Sequence, residues 1–203
     1  IIRYDYHFET DSSEFVFNEI RSWIKANPIN QGPNWKCSQE ISLRMINWLY
    51  ALFFYKNSKH LTEAVFQEIM HVMYWQLHHV YHHIHFSRIA VRNNHAITET
   101  LLLSLSELLF PFYPETKKWA KKGKQYFEQE MEYQIYNDGA FIQHSMNYHR
   151  VLIQLLTFGF TVTQSKPDFF SKLVYGKAYK AVIFLIQFVQ PENGKVPNYG
   201  SND

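Results

Sequence analysis

Apolar side chains recur at three- and four-residue steps along almost the whole chain, in segments separated by short breaks of proline, glycine and asparagine. Ile41, Met45, Trp48, Leu49 and Leu52 are a clear case, because that spacing puts all five on one side of a helix. A strand needs alternation instead, and no alternating pair joined by a turn is found. The expected class is all-α. Helices are expected over Glu14 to Ala26, Gln39 to Tyr55, Thr62 to His85, Ala96 to Phe110, Thr116 to Tyr136, Ile142 to Thr163, and Asp168 to Val189 or Gln190. Ser12 or Ser13, Ser38 and Asp168 are the expected caps of the first, second and last of these. Pro28 ends the first, because the residue before a proline is pushed out of helical geometry, and Pro111 and Pro114 bracket the exit of the fourth. Residues 1–13 read as an irregular or briefly extended lead-in. Seven helices of similar length on short connections make antiparallel neighbours, and hairpins repeating about every 45 residues suit a curved or closed α/α array.

A chain of 203 residues is expected to form one domain, 1–203, with a substantial core. Its aromatic share of 18% suits a helical body with an aromatic-lined groove. A net charge of +2 is too small to argue for a nucleic-acid partner, although eleven histidines add positive charge below about pH 6.5. A weakly basic cleft for an acidic substrate fits that balance. Cys37 stands alone, which excludes an internal disulfide framework. No apolar run approaches the roughly 18 residues of a membrane span, so no membrane partner is expected, and no signal peptide opens the chain. The abrupt start at Ile1 and the polar stop at Asp203 read as a piece of a longer protein. No glycine-rich phosphate loop, serine nucleophile elbow or Cys–His pair in a known context occurs, which disfavours phosphoryl transfer and thiol catalysis and calls for no cofactor.

Two stretches concentrate polar chemistry beside apolar segments: Arg92-Asn93-Asn94-His95, and Asp138-Gly139 running through His144, Tyr148, His149 and Arg150. Asn93 or Asn94 reads first as a helix cap, a common use of asparagine. The same place also suits an anion, since a helix start carries free N–H groups and a positive dipole end, to which Asn94, His95 and Arg92 add donors. Tyr148 reads as a half-buried amphipathic side chain or as a proton-transfer group. A phenol serves as a base near neutrality only where cations stabilise its phenolate. His144, four positions earlier on the same expected helix face, and His149 and Arg150 are the candidates.

Other clusters have plainer readings. His78/His82 and His79/His83 have the spacing that puts two imidazoles on one helix face, but a third ligand with its supporting shell is missing, so a polar face is the expectation and no metal is assigned. Trp35, Arg44 and Trp48 suit either an aromatic floor for sugar rings, with Arg44 reaching an acid group, or a core with a structural ion pair. The lysines from Lys117 to Lys124 read as solvated surface.

The order of Asn27-Pro28, Gly32-Pro33-Asn34-Trp35, Arg44-Met45-Ile46-Asn47-Trp48, Asn93-Asn94-His95-Ala96 with Glu99, Leu109-Phe110-Pro111, Asp138-Gly139 with His144-Ser145 and Tyr148-His149, and the closing stretch from Gly194 resembles the α-helical domain of the heparinase II/III-like polysaccharide lyases. The resemblance covers roughly residues 20–203. It implies an incomplete (α/α) toroid followed by a β-sandwich domain that this chain lacks and that carries a further catalytic His or Tyr. It also implies a periplasmic or secreted setting and cleavage of a uronic-acid-containing polysaccharide by β-elimination. Under it, Asn94 with His95 matches the position that neutralises the uronate carboxylate, and Tyr148 the catalytic phenol. Arg92, Glu99, His144, His149, Arg150, Trp35 and Arg44 are then the expected substrate-contacting residues. A carbohydrate-binding or polysaccharide-assembly protein without elimination is the alternative.

Overall fold

In the computed structural model, which describes residues 1–201, the described residues form eight α-helices and no β-strand. The chain divides into two compact units, Ile1–His83 and the residues from Ile84 onward.

The first unit holds α1 (Ile2–Phe8), α2 (Ser13–Ala26), a 3-10 turn at Pro33–Trp35, α3 (Ser38–Phe54) and nearly all of α4 (Glu63–His85). α1 corrects the expected irregular lead-in. Seven residues are too few to show a period, and what holds them is a polar network with distant partners. Buried Asp5 accepts from Tyr55 Oη at 2.5 Å, Thr10 Oγ1 at 2.7 Å, Ser12 N at 2.7 Å and Ser12 Oγ at 2.9 Å. Those bonds, led by Tyr55, hold its carboxyl well below the usual carboxylate range. At α3 the cap position falls on Cys37, while Ser38 is the first helical residue. The helix packs Ile41, Met45, Trp48 and Leu52 inward as the period predicted.

The second unit is built around α5 (Asn94–Leu109), with α6 (Thr116–Gln134), α7 (Met146–Val162) and α8 (Lys172–Gln187). Twelve of the sixteen residues of α5 are buried, so it is a central helix with almost no solvent face. Its interior hydroxyls Thr98, Thr100, Ser104 and Ser106 each bond to a carbonyl three or four positions back, and Ser106 Oγ also lies 3.2 Å from Thr116 O at the start of α6. α6 crosses it closely at Gly123, where a Cβ would sit 2.4 Å from Ser104 N. Ile97, Leu101 and Leu105 of α5 share one core with Phe127, Met131, Leu152, Leu156 and Phe170.

Two boundaries differ from expectation. α7 begins at Met146 and not near Ile142, because an isolated bridge between Ile135 and Phe141, a turn closed by His144 N on Phe141 O, and a left-handed His144 (φ 49°) keep the preceding segment out of the helix. Ser171, and not Asp168, caps α8, its side chain accepting from Val174 N. No helix among the described residues is long and apolar enough to cross a membrane.

Candidate active site at the start of alpha5

α4 does not run smoothly into α5. Phe86–Val91 form a π-helical turn, closed by Arg92 N donating to Ser87 O at 2.6 Å, and Arg92 itself is left-handed at φ 46°. Such a wide turn is uncommon and often lies at functional positions. It delivers Asn93 in extended geometry as the cap of α5, its Oδ1 accepting from His95 N at 2.9 Å.

The backbone at this helix start is already satisfied. Asn94 N donates to Gln143 Oε1 at 3.1 Å and Ala96 N to Asn93 O at 3.0 Å, alongside the capped His95 N. The free N–H groups expected from sequence are therefore spent within the protein. What remains is a side chain: Asn94 is only 5% exposed, and its Oδ1 is buried with no hydrogen-bond partner. A buried amide oxygen in that state costs free energy until something pairs with it.

A charged shell lies behind Asn94. Glu130 of α6, 0% exposed, is ion-paired to Arg88 Nε at 3.1 Å and Arg92 Nε at 3.6 Å. Arg88 lies 3.6 Å over the Tyr126 ring and Arg92 3.4 Å over Tyr133, so the cations are held flat as well as paired. Gln134 Nε2 donates to both Glu130 Oε2 and Asn93 O at 3.0 Å. Glu99 is buried 2.6 Å from Ser87 Oγ, and burial pushes its carboxyl up to about 8, so it is mainly protonated at neutrality. Two guanidiniums then face one carboxylate, leaving one net positive charge around the start of α5.

The second stretch joins this site through Gln143, but its members separate. Ser145 caps α7, its Oγ accepting from Tyr148 N at 3.4 Å, and Tyr148 is half-buried against the core of the unit, one turn into the helix. His144 precedes the helix, so it does not share a helical face with Tyr148; its exposed ring lies 5.8 Å from that of Tyr136. His149 is buried, its Nε2 2.8 Å from Ala181 O, and burial lowers its basicity, so it is a core residue and not an exposed cation. Arg150 is exposed and donates to Asn147 Oδ1. The start of α7 is bonded by residues 199–201: Met146 N donates to Tyr199 O at 2.9 Å and Ser145 Oγ to Ser201 O at 2.8 Å.

Trp35 and Arg44 belong to the first unit and are internal there. Trp35 and Trp48 are buried, and Arg44 stacks 4.0 Å over Trp23 while donating to Asn34 O at 2.9 Å and Gln76 Oε1 at 3.1 Å. Trp35 and Trp48 are core residues and not an open aromatic floor, while Arg44 is held by neutral oxygens in place of the expected structural ion pair. Along α4 the paired imidazoles lie 4.2 Å (His78/His82) and 3.9 Å (His79/His83) apart, with His79 Nδ1 on Asn30 Oδ1 and His83 Nδ1 on His79 O. Among the described residues no group of three or more His, Cys, Asp or Glu is placed to hold a metal ion.

Residues 6–201, which include every candidate residue above, match the family model described as the heparinase II/III N-terminus. The chain belongs to that family. Among solved structures, heparinase III superposes with a TM-score of 0.74 at 21% identity, over 87% of this chain and 27% of that one. A heparinase III with methylated lysines gives 0.71 at 17% identity, over 96% and 34%. The heparan sulfate lyase HepC from Pedobacter heparinus gives 0.68 at 19%, over 91% and 29%. No curated protein matches. These likenesses show the fold: the helices of this heparinase II/III family chain have the all-α arrangement of the heparinase III toroid, of which they form an incomplete part. The chain spans about a third of the length of those structures.

Glu130, Gln134, Gln143, Ser87 and Arg88 were not anticipated from sequence. Glu130 and Gln134 had a signal, for they fall in the inward register of α6 with Tyr126, Phe127 and Met131. A polar residue in an apolar register is a flag for a buried network.

Proposed function

We propose that this chain is the helical part of a polysaccharide lyase acting on a uronic-acid-containing polymer, a glycosaminoglycan of the heparan sulfate kind or alginate. The observation that carries the reading is the near-buried side chain of Asn94 at the start of α5, whose amide Nδ2 is the donor a carboxylate would take, beside the Arg88 and Arg92 guanidiniums and within a chain of the heparinase II/III family. The proton at C5 of a uronate is very weakly acidic while the neighbouring carboxylate bears full charge. Hydrogen bonds from Asn94 and His95 would draw that charge off and stabilise the enolate-like intermediate. Tyr148 takes the C5 proton to form that intermediate; the C4–O bond then breaks as the C4=C5 double bond forms, and the protonated Tyr148 returns its proton to the departing glycosidic oxygen. Arg92 adds long-range attraction for the anionic polymer. A β-sandwich domain elsewhere in the protein supplies the remaining group. The test is treatment of heparan sulfate and alginate, followed by the ultraviolet absorbance of the unsaturated uronate product. Full turnover in both Asn94→Ala and Tyr148→Phe would refute the assignment.

One observation favours the second reading, an acidic-polysaccharide-binding protein without elimination. Two of the three cations expected to support a Tyr148 phenolate are engaged elsewhere, since His149 is buried on Ala181 O and Arg150 is bonded to Asn147, and the third, His144, lies off the helix against Tyr136. Calorimetric titration with heparan sulfate oligosaccharides separates the two, since binding without unsaturated product supports this second reading.

A further inference from the structure

Two glutamines from different elements hold a single peptide group. The carbonyl of the Asn93–Asn94 peptide accepts from Gln134 Nε2 at 3.0 Å, and the N–H of the same peptide donates to Gln143 Oε1 at 3.1 Å. The two ends of a trans peptide point in opposite directions, so this rigid plane is gripped at opposite edges. Gln134 is fully buried and tied to Glu130, which is in turn held by Arg88; that side of the grip is anchored in α6 and in the π-helical turn. On the other side, Gln143 stands two residues before Ser145, the cap of the helix that carries Tyr148.

The amide oxygen of Asn94 has no partner to aim it. The point from which it projects is set from behind, by the peptide plane that carries Asn94 Cα. A plane free to rock would carry the side chain with it, whereas a plane gripped at both edges holds that starting point still. The same Gln143 bond also fixes the start of α5 relative to the segment that leads into α7.

We propose that Gln134 and Gln143 are positioning residues: they lock the Asn93–Asn94 peptide plane, and Gln143 sets the spacing between the Asn94 amide and Tyr148. This rests on the reading of Asn94 as the carboxylate-binding residue. Gln134 acts on Asn94 alone, and Gln143 acts on both halves of the site. Gln134 is fully buried and the Gln143 amide oxygen is spent on Asn94 N–H, so both act on the rate of proton transfer more than on polymer binding.

Gln143→Met removes the acceptor at similar volume, and Gln143→Glu keeps one. Exchange of the Asn94 amide hydrogen, followed by NMR, reads the lock directly, while kcat and KM on heparan sulfate read its consequence. Exchange in Gln143→Met is expected to quicken roughly tenfold or more, with kcat falling roughly ten- to a hundredfold and KM changing little. Gln143→Glu is expected to recover most of both, an outcome that a merely destabilised fold would not give. Unchanged protection of the Asn94 amide in Gln143→Met would overturn the proposal, as would a kcat equal to that of the unsubstituted protein. Full turnover by Asn94→Ala would instead overturn the reading of Asn94 as the carboxylate-binding residue, and the exchange measurement would still decide whether the lock exists.

Discussion

Ser87 places its hydroxyl 2.6 Å from Glu99 Oε2, joining the π-helical turn to the interior of α5 through a buried carboxyl. Glu99 was expected to contact substrate, but it is 1% exposed and braces the turn that delivers Asn94. Burial raises its folded value to about 8 from an ordinary 4.5. Between those limits the folded protein keeps a proton that the unfolded chain releases. Stability therefore declines as pH rises through the window, by up to about 1.4 kcal/mol per pH unit from this group. Glu99→Gln is expected to flatten the slope and raise the melting temperature above neutrality; an unchanged slope in thermal melts from pH 5 to pH 8 would refute this.

The Asp5 network gives the opposite sign. Its carboxyl is held low, chiefly by Tyr55 Oη, so it contributes stability above about pH 4 that is lost as pH falls toward the folded value. Tyr55→Phe is expected to lower the melting temperature at pH 7 by a few degrees and to make the loss in acid shallower. Acid titration of the two proteins, followed by helical circular dichroism, compares them directly.

Gly123→Ala in α6 would drive a methyl group to within 2.4 Å of Ser104 N and 2.6 Å of the Leu103 carbonyl carbon, both backbone atoms of α5. Backbone cannot rotate aside, so a net loss of about 1–3 kcal/mol is expected from overpacking. Gly176→Ala in α8 meets nothing within 4 Å and is the matched control, expected to gain up to about 1 kcal/mol of helix propensity. Urea melts of both variants check the contrast.

Arg44→Lys tests the reassignment of that residue from sugar contact to internal strut. A lysine cannot reproduce the stack on Trp23 together with the bonds to Asn34 O and Gln76 Oε1. Stability is expected to drop by about 1–3 kcal/mol while affinity for heparan sulfate oligosaccharides stays the same. A weakened affinity with an unchanged melting temperature would restore the contact role.

Where local period decides the outcome, sequence and structure agree closely. The expected Gln39 to Tyr55 helix lies one residue from the observed Ser38–Phe54, and Thr116 to Tyr136 overruns Thr116–Gln134 by two. The failures have distant causes. α1 depends on a tyrosine fifty positions away, and the start of α7 depends on a bridge and a left-handed histidine that leave no periodic trace. In the site, Asn93 and Asn94 were legible because capping is a local grammar. Gln143 was not, since a glutamine after an Asp-Gly turn looks like any solvated loop residue until its partner forty-nine positions away is known.

The π-helical turn before α5 also makes the length of this segment matter more than its composition. Its wide closure, from Arg92 N to Ser87 O, holds one residue more than an α-turn would. Deleting any single residue between Phe86 and Val91 would let the turn tighten to α geometry and rotate everything downstream by about 100° about the helix axis. Apart from Ser87 and Arg88, whose side chains hold Glu99 and Glu130, the residues there matter less than their number: a one-residue deletion would carry Asn94 off its bearing while leaving every side chain of the motif in the gene.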